Sequence, residues 1–95
     1  MNTEVKKSVY KDVDKLPISI KELVFEKITE LENADNIHQV ENVKPLEGTE
    51  EPYFRIKLRN YRLIIYYEKE TKTAKVYALI HRKDSYKKEN LPWKN

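Results

Sequence analysis

Basic and apolar residues alternate on both sides of the dipeptide Arg59-Asn60, over residues 54–67. Such alternation predicts two β-strands, and the break at the dipeptide predicts a two-residue turn that makes them antiparallel. This pairing sets Lys57 directly opposite Arg62 on one face of the sheet. Two like charges in that position cost up to about 1 kcal/mol, so the pair indicates a site that holds an anion.

The same pairing divides the two strands into an apolar face and a basic face. The apolar face carries Phe54, Ile56, Leu58, Tyr61, Leu63 and Ile65. The basic face carries Arg55, Lys57 and Arg62, with Ile64 and Tyr66 beside them. Because lysine and arginine on a solvated sheet face often do no more than interact with water, these two strands alone leave both interpretations open.

The charge of the chain is divided between its two halves. Residues 1–52 contain seven Lys and twelve Asp or Glu, a balance of −5, and residues 53–95 contain twelve Lys or Arg and four Asp or Glu, a balance of +8. The whole length of 95 residues is expected to form one domain, 1–95. A basic second half indicates a polyanionic partner, nucleic acid before membrane.

The composition excludes several classes of site. The chain has no cysteine, which excludes disulfides, thiol nucleophiles and thiolate metal sites. Gly48 is the only glycine, so a glycine-rich phosphate loop is excluded as well. His38 and His81 lack metal-ligand spacing, and we expect neither a metal nor a cofactor. Since no segment has the character of a membrane span, a cytoplasmic protein is expected.

Two helices are predicted in the acidic half. Apolar residues at roughly helical spacing predict a short helix over residues 8–15, which ends before Pro17. A capping box of Ser19 and Glu22 predicts a second helix over residues 19–33. Its apolar stripe consists of Ile20, Leu23, Val24, Ile28 and Leu31. The connector that follows, residues 34–52, is expected to have little regular structure and four anchoring side chains, Ile37, Val40, Val43 and Leu46.

Residues 73–80 alternate again and predict a third strand, antiparallel to the second. The alternation sets Lys75, Tyr77 and Leu79 on one face and Ala74, Val76, Ala78 and Ile80 on the other. Residues 2–7 are a candidate edge strand, and residues 87–95, with Trp93, are a tail whose role stays open. Helices followed by a strand meander predict an α+β domain, with two N-terminal helices on one face of a small antiparallel sheet.

The third strand is expected to return to the end of the sheet where Arg62 lies, so that His81 and Arg82 emerge beside the basic face. That face then gathers Arg55, Lys57, Arg62, Arg82 and Tyr86. Fixed cations stabilise charge on a pentacovalent phosphorane, and an aromatic ring stacks on an unpaired base, so the set suits an RNA phosphodiester.

Four motifs resemble the RelE/ParE toxin superfamily in their order and spacing. They are Leu46-Glu47-Gly48, Tyr53-Phe54-Arg55-Ile56-Lys57, Tyr61-Arg62-Leu63-Ile64 and His81-Arg82-Lys83-Asp84-Ser85-Tyr86. The resemblance spans about residues 8–86 and implies a microbial-RNase-like α+β fold. Because the matching positions favour RelE-type members, it also implies a type II toxin–antitoxin toxin that cleaves mRNA on the ribosome.

The resemblance further implies a reaction, a set of site residues and partners. Catalytic positions are implied for Arg55, Lys57, Arg62, Arg82 and Tyr86. The implied reaction is attack of a nucleotide's 2′-OH on its own 3′-phosphate, which needs no metal and leaves a cyclic phosphate. The implied partners are a cognate antitoxin that inhibits the toxin, mRNA on the ribosome and ribosomal RNA.

Position 55 departs from the best-known RelE members, which carry lysine there. Arginine essentially never deprotonates, so Arg55 can stabilise charge but is a poor general base. Lys57, crowded by Arg55 and Arg62, is the better candidate base. Tyr86 could stack on the base, orient the attacking hydroxyl or share the proton transfer. Arg82 would neutralise the leaving 5′-oxygen.

RNA binding at the rim of this site is expected from Arg59, Lys83 and His81. Arg59 stands where family members commonly have glycine, and it adds a cation suited to ribosomal RNA. His81 is also a candidate base by residue type, although a structural role is favoured because it need not point the same way as the arginine after it.

Two other functions remain open from the sequence. A ParE-like inhibitor of DNA gyrase would cut no RNA, and the basic residues on adjacent strands argue against it. A non-catalytic RNA-binding module or degenerate toxin would show salt-sensitive RNA binding without strand scission.

Overall fold

Two helices pack on one face of a five-stranded sheet in the computed structural model, which describes residues 1–46 and 52–84. The helices are α1 (Lys7–Asp14) and α2 (Ile18–Asn33). The strands are β1 (Asn2–Val5), β2 (Val43–Pro45), β3 (Tyr53–Leu58), β4 (Tyr61–Glu68) and β5 (Thr73–His81). They lie in the order β1-β5-β4-β3-β2, with β1 parallel to β5 and the other neighbours antiparallel. The predicted α+β fold is confirmed.

The hairpin of β3 and β4 has the predicted register. Lys57 lies opposite Arg62, and Leu58 lies opposite Tyr61, so the turn consists of Arg59 and Asn60. Arg59 has a backbone φ of 55°, in the left-handed region that favours glycine. The turn is therefore made at a local cost, by a residue whose side chain is exposed.

The core lies between the helices and one sheet face. Its fully buried side chains include Val9, Val13, Val24, Leu31, Ile37, Ile56, Leu63, Ile65 and Val76. In the stripe predicted for α2, Ile20, Val24 and Leu31 are buried, and Leu23 and Ile28 pack against them. Each such aliphatic side chain contributes about 1.5–3 kcal/mol relative to exposure, so this layer fixes the sheet on which the basic residues stand.

The predicted capping box of α2 is wrong. The helix begins at Ile18, and the carbonyl of Pro17 accepts hydrogen bonds from the N–H groups of Ile20 and Lys21. No side chain caps this end. Pro17, with φ of −57° and an extended ψ, occupies the N-cap position two residues before Ser19, so Ser19 lies inside the helix.

The connector contains a strand that the sequence prediction missed. Its residues Val43–Pro45 pair with β3 as an edge strand, and Ile37 and Val40 are buried in the core as predicted. At the other edge, β1 confirms the candidate strand near the start of the chain. The motif residues Glu47 and Gly48 lie outside the described residues.

The faces predicted for β5 are correct only up to a β-bulge. Val76 pairs with Ile65 and Ala78 pairs with Ile64, so Tyr77 has no partner in the ladder. Beyond this extra residue the alternation is reversed. The outcome is that Leu79 packs against the helix-side core, whereas Ala78 and Ile80 join Tyr77, whose face was predicted correctly, in a cluster on the other face. A bulge of one residue leaves no signature in the hydropathy pattern.

Candidate functional site

The sheet face opposite α1 and α2, called the helix-free face because no helix of the described residues packs on it, carries two pairs of opposed like charges. Lys57 lies opposite Arg62, as predicted, and Arg55 lies opposite Lys44 on β2. Lys57 and Lys44 are exposed, and the two arginines are half-buried. Cross-strand neighbours share a face, so three adjacent strands present four cations side by side. The sequence prediction missed Lys44 because its strand is only three residues long.

The Arg62 guanidinium lies against the hairpin turn. Its Nη1 donates hydrogen bonds to the carbonyl oxygens of Arg59, at 3.0 Å, and Tyr61, at 2.9 Å. Its Nε is buried, with no hydrogen-bond partner among the described residues. A buried donor without a partner costs about 1–3 kcal/mol, more on a charged group, so an acceptor supplied by a ligand would stabilise this side chain.

The end of β5 comes to the same turn. The backbone N–H of Arg82 donates to the carbonyl of Asn60 at 2.6 Å, and the side chains of Arg82 and Lys83 are exposed. The prediction that Arg82 emerges beside Arg62 is therefore confirmed for its backbone. Tyr86 lies outside the described residues, so the role of its ring stays a prediction.

His81 lies on the helix side of the sheet. It pairs with Tyr61, and the two rings meet edge to face with centroids 5.1 Å apart. Its Nδ1 accepts a hydrogen bond from the backbone N–H of Lys83 at 3.2 Å. Both contacts set the direction of the chain as it leaves β5, and they turn the imidazole away from the face that carries Lys57 and Arg62.

No ion pair between described residues neutralises the cations at the turn. Within residues 1–46 and 52–84 the ion pairs are Lys27–Glu30, at 2.7 Å, and Lys75–Glu68, at 3.2 Å. Neither pair includes a residue of the basic face near the turn. The same described ranges contain no group of three or more His, Asp or Glu side chains arranged to hold a metal ion.

An aromatic cluster occupies the opposite end of the helix-free face. Tyr53, Tyr66 and Tyr77 contact one another with ring centroids 5.2–6.2 Å apart. The ammonium groups of Lys6 and Lys75 lie over two of these rings, at 5.6 and 5.9 Å from the centroids. Tyr77 lies on the same face as Lys75, as the alternation predicted, and the sequence pattern did not assemble the cluster because its three rings come from three different strands.

A buried lysine secures the sheet edge beside Lys57. Lys27 donates to the Glu30 carboxylate at 2.7 Å and to the Glu41 carbonyl at 3.1 Å, and the Glu41 N–H donates to the same carboxylate. Burial raises the pKa of Glu30, but the hydrogen bonds from Lys27 and Glu41 and the Lys27 charge outweigh it and lower that pKa. Asn42 follows with φ of 65°, and with Lys57 it lines a polar pocket between α2 and β3.

Solved structures of toxin complexes share this architecture. A chain of the archaeal RelE–RelB complex from Pyrococcus horikoshii is 27% identical, with a TM-score of 0.71 over 85% of this chain and 93% of that one. The RelB–RelE antitoxin–toxin complex from Methanococcus jannaschii matches at 25% identity, a TM-score of 0.72, and 88% and 95% coverage. The chain is a member of the RelE-type toxin superfamily. The isolated E. coli RelE toxin is less similar to this RelE-type chain, with 23% identity and a TM-score of 0.63 over 84% of this chain and 82% of that one.

The family was identifiable only through three-dimensional structure and short motifs. No protein-family model and no curated protein matches the sequence. The matches to RelE structures cover 84–88% of the chain, so they include most of the elements that carry the basic face. No helix in the described part of the chain has the length and apolar character needed to cross a membrane.

Proposed function

We propose that this RelE-type chain is the toxin of a type II toxin–antitoxin system and cleaves mRNA on the ribosome. One observation carries the proposal: two pairs of opposed cations lie on a sheet face that α1 and α2 leave open, beside a guanidinium whose buried Nε has no partner among residues 1–46 and 52–84. Like charges held this close favour an anion between them, and a phosphodiester is the polyanion whose cleavage they would accelerate. The RelE likeness of the fold supports the same conclusion.

The proposed reaction is a metal-independent transesterification. Lys57 accepts the proton of a 2′-OH as this oxygen attacks the adjacent 3′-phosphorus, and the bond from phosphorus to the 5′-oxygen breaks. The products are a 2′,3′-cyclic phosphate on the upstream piece and a 5′-hydroxyl on the downstream piece, once the leaving oxygen takes up a proton. Fixed cations lower the barrier because charge on the phosphoryl oxygens grows in the transition state.

The arginines divide the stabilisation of charge between them. Arg62 is held at the turn by two carbonyl groups, and a phosphate oxygen would supply the acceptor that its Nε lacks. Arg55 adds charge from the neighbouring cross-strand pair. It does not serve as the base, because arginine essentially never deprotonates. We assign Arg82 to the leaving 5′-oxygen and Tyr86 to stacking on the base.

The rim residues are proposed to contact ribosomal RNA. Arg59 and Lys83 are exposed at the same end of the sheet, where they extend the basic surface beyond the scissile phosphate. His81 packs on Tyr61, and its contribution to RNA binding stays a prediction. The proposed protein partner is an antitoxin that inhibits the toxin, and the proposed compartment is the cytoplasm, where translated mRNA is present.

Cleavage of mRNA on programmed ribosomes tests the catalytic scheme. Lys57→Ala and Arg82→Ala should each slow cleavage on the order of 10²–10³-fold, since the first removes the proposed base and the second a charge that stabilises the leaving oxygen. Lys69→Ala is the matched control, because Lys69 is exposed in the β4–β5 turn at the other end of the sheet. Wild-type rates in both site variants would refute the assignment of these residues.

The same assay separates the proposed function from the two alternatives. Absence of cleavage by the wild-type chain, together with RNA binding that weakens steeply with salt, would indicate a non-catalytic module. Absence of cleavage together with inhibition of purified gyrase would indicate a ParE-like activity. Cuts in register with codons, and only in translated messages, are the expected result.

A further inference from the structure

The outward face of α2 exposes large apolar side chains. Ile18 is 70% exposed and Phe25 is 49% exposed, and within the described residues only Tyr10 is a comparably exposed large apolar residue. Ile18 and Phe25 are seven residues apart, which is two helical turns, so both lie on one side of the helix. This side faces away from the sheet, because the core stripe of α2 occupies the other side.

Every fully exposed charged residue of α2 is a carboxylate. These residues are Glu22, Glu26 and Glu32, and the first two line a shallow depression together with Phe25 and Thr29. None of the three carboxylates forms an ion pair with another described residue. The two lysines of the helix do not offset them, since Lys21 is half-buried and Lys27 is buried against Glu30. This face is therefore acidic on a chain that is basic as a whole, and its charge is opposite in sign to that of the proposed catalytic face.

We propose that the outward face of α2, defined by Ile18, Glu22, Phe25, Glu26 and Thr29, binds a basic amphipathic segment of the antitoxin. The proposal rests on the proposed function, because it names the surface by which the toxin holds its inhibitor. A segment with apolar residues on one side and Lys or Arg along its edges would cover Phe25 and pair with the flanking carboxylates. RNA and anionic lipid are disfavoured as occupants, because these carboxylates repel phosphate.

The α2 face continues to the catalytic end of the sheet. Glu26 lines the depression beside Phe25, and it also lines the polar pocket that contains Lys57 and Arg59. A chain that leaves the α2 face at Glu26 therefore enters the pocket next to the proposed base. The surface changes sign along this path, so the inhibitor is expected to be basic where it lies on α2 and acidic where it reaches Lys57.

Binding of the purified antitoxin tests the surface. The ligand is the protein encoded beside this chain that neutralises it on co-expression, and affinity is measured by calorimetry or interferometry. Ile18→Ser/Phe25→Ser should weaken binding at least tenfold, and Glu22→Lys/Glu26→Lys should weaken it about tenfold and reduce its salt dependence. Tyr10→Ser, which removes an exposed aromatic residue from α1, is the matched control and should leave the affinity within twofold.

Cleavage of mRNA by the free variants separates the possible failures. Ile18→Ser/Phe25→Ser should cut at the wild-type rate, which shows that the fold and the catalytic face are intact. Unchanged antitoxin affinity in both double variants would overturn the α2 surface and leave the nuclease proposal standing. A wild-type chain that binds the antitoxin through α2 but cuts no mRNA would refute the nuclease proposal alone. A wild-type chain that no neighbouring protein neutralises or binds would refute the α2 surface and the toxin–antitoxin role, whereas cleavage of mRNA by the free chain would still decide the nuclease proposal.

Discussion

The two faces of the sheet follow opposite physical rules. On the helix side, Ile56, Leu63 and Ile65 are fully buried, and each side chain there lowers the free energy of the fold. On the helix-free side, Lys57 faces Arg62 at the end of the sheet where Arg82 arrives, an arrangement that costs folding energy. The first face thus stabilises the fold, whereas the second carries a cost that the proposed binding of RNA would offset.

The largest expected effect lies on the helix side. Leu63→Ala should lower the free energy of unfolding by about 2–5 kcal/mol, because it removes buried methyl groups and leaves a cavity between Ile56 and Leu79. Urea denaturation followed by circular dichroism measures the change, with Lys69→Ala as the surface control. A loss below about 1 kcal/mol would show that this face is not the main core.

The helix-free face should respond in the opposite sense. Lys57→Thr is expected to slow mRNA cleavage on the order of 10²–10³-fold, yet to raise the free energy of unfolding by up to about 1 kcal/mol, because it relieves the repulsion with Arg62. Lys44→Thr relieves the pair with Arg55 and should raise stability by a similar amount. If both variants are less stable than the wild type, the opposed charges are not a cost of folding and the contrast between the faces fails.

A smaller effect is expected from the hydrogen bonds of Lys27 and Glu30 that join α2 to Glu41, just before β2. The pKa of Glu30 is lowered in the folded state from an ordinary value of 4.5, so its stabilising contribution is present above that pH and is lost as the pH falls through the folded-state pKa. Glu30→Gln should therefore cost about 1 kcal/mol at pH 7, a figure reduced for partial solvent screening. Denaturation at pH 7 and pH 3 measures it, and an equal cost at both values would contradict the role of the ionised carboxylate.

The smallest effect is expected at the hairpin turn. Arg59→Gly removes the cost of a left-handed backbone at a non-glycine residue, which is about 1 kcal/mol, but adds chain entropy to the unfolded state. The net gain in unfolding free energy should be a few tenths of a kcal/mol, as measured by thermal unfolding. A marked loss would mean that the Arg59 side chain, and not only its carbonyl group, supports the turn. Asn60→Ala is the control variant, because it keeps the backbone carbonyl that accepts the hydrogen bond from the Arg82 N–H.

The hairpin was predictable because its signal is long and redundant. Alternation over two strands and a two-residue break fix the register of Lys57 against Arg62 without ambiguity, since a shift by one residue would expose the whole apolar set. The helices were predictable for the same reason, from stripes that extend over several turns. The bounds of α1 differed by one residue at each end. The start of α2 differed because the backbone of Pro17 closes the first turn without a side-chain cap.

The errors lie where a single residue decides the geometry. The strand Val43–Pro45 is too short to show a period, so the second pair of opposed charges, Lys44 and Arg55, was not predicted. The bulge at Tyr77 reverses the faces of Leu79 and Ile80 without any change in composition. Local pattern thus specifies most of the fold, whereas the aromatic cluster and the fourth cation depend on pairing across strands.

The bulge gives β5 one residue to spare. Deletion of Tyr77 would leave Val76 opposite Ile65 and Ala78 opposite Ile64, so every remaining side chain would keep its side of the sheet. Arg82 would still arrive at Asn60. Loss of one residue would invert half of an ordinary strand. At this position the strand can lose a residue while the end that carries Arg82 stays in register.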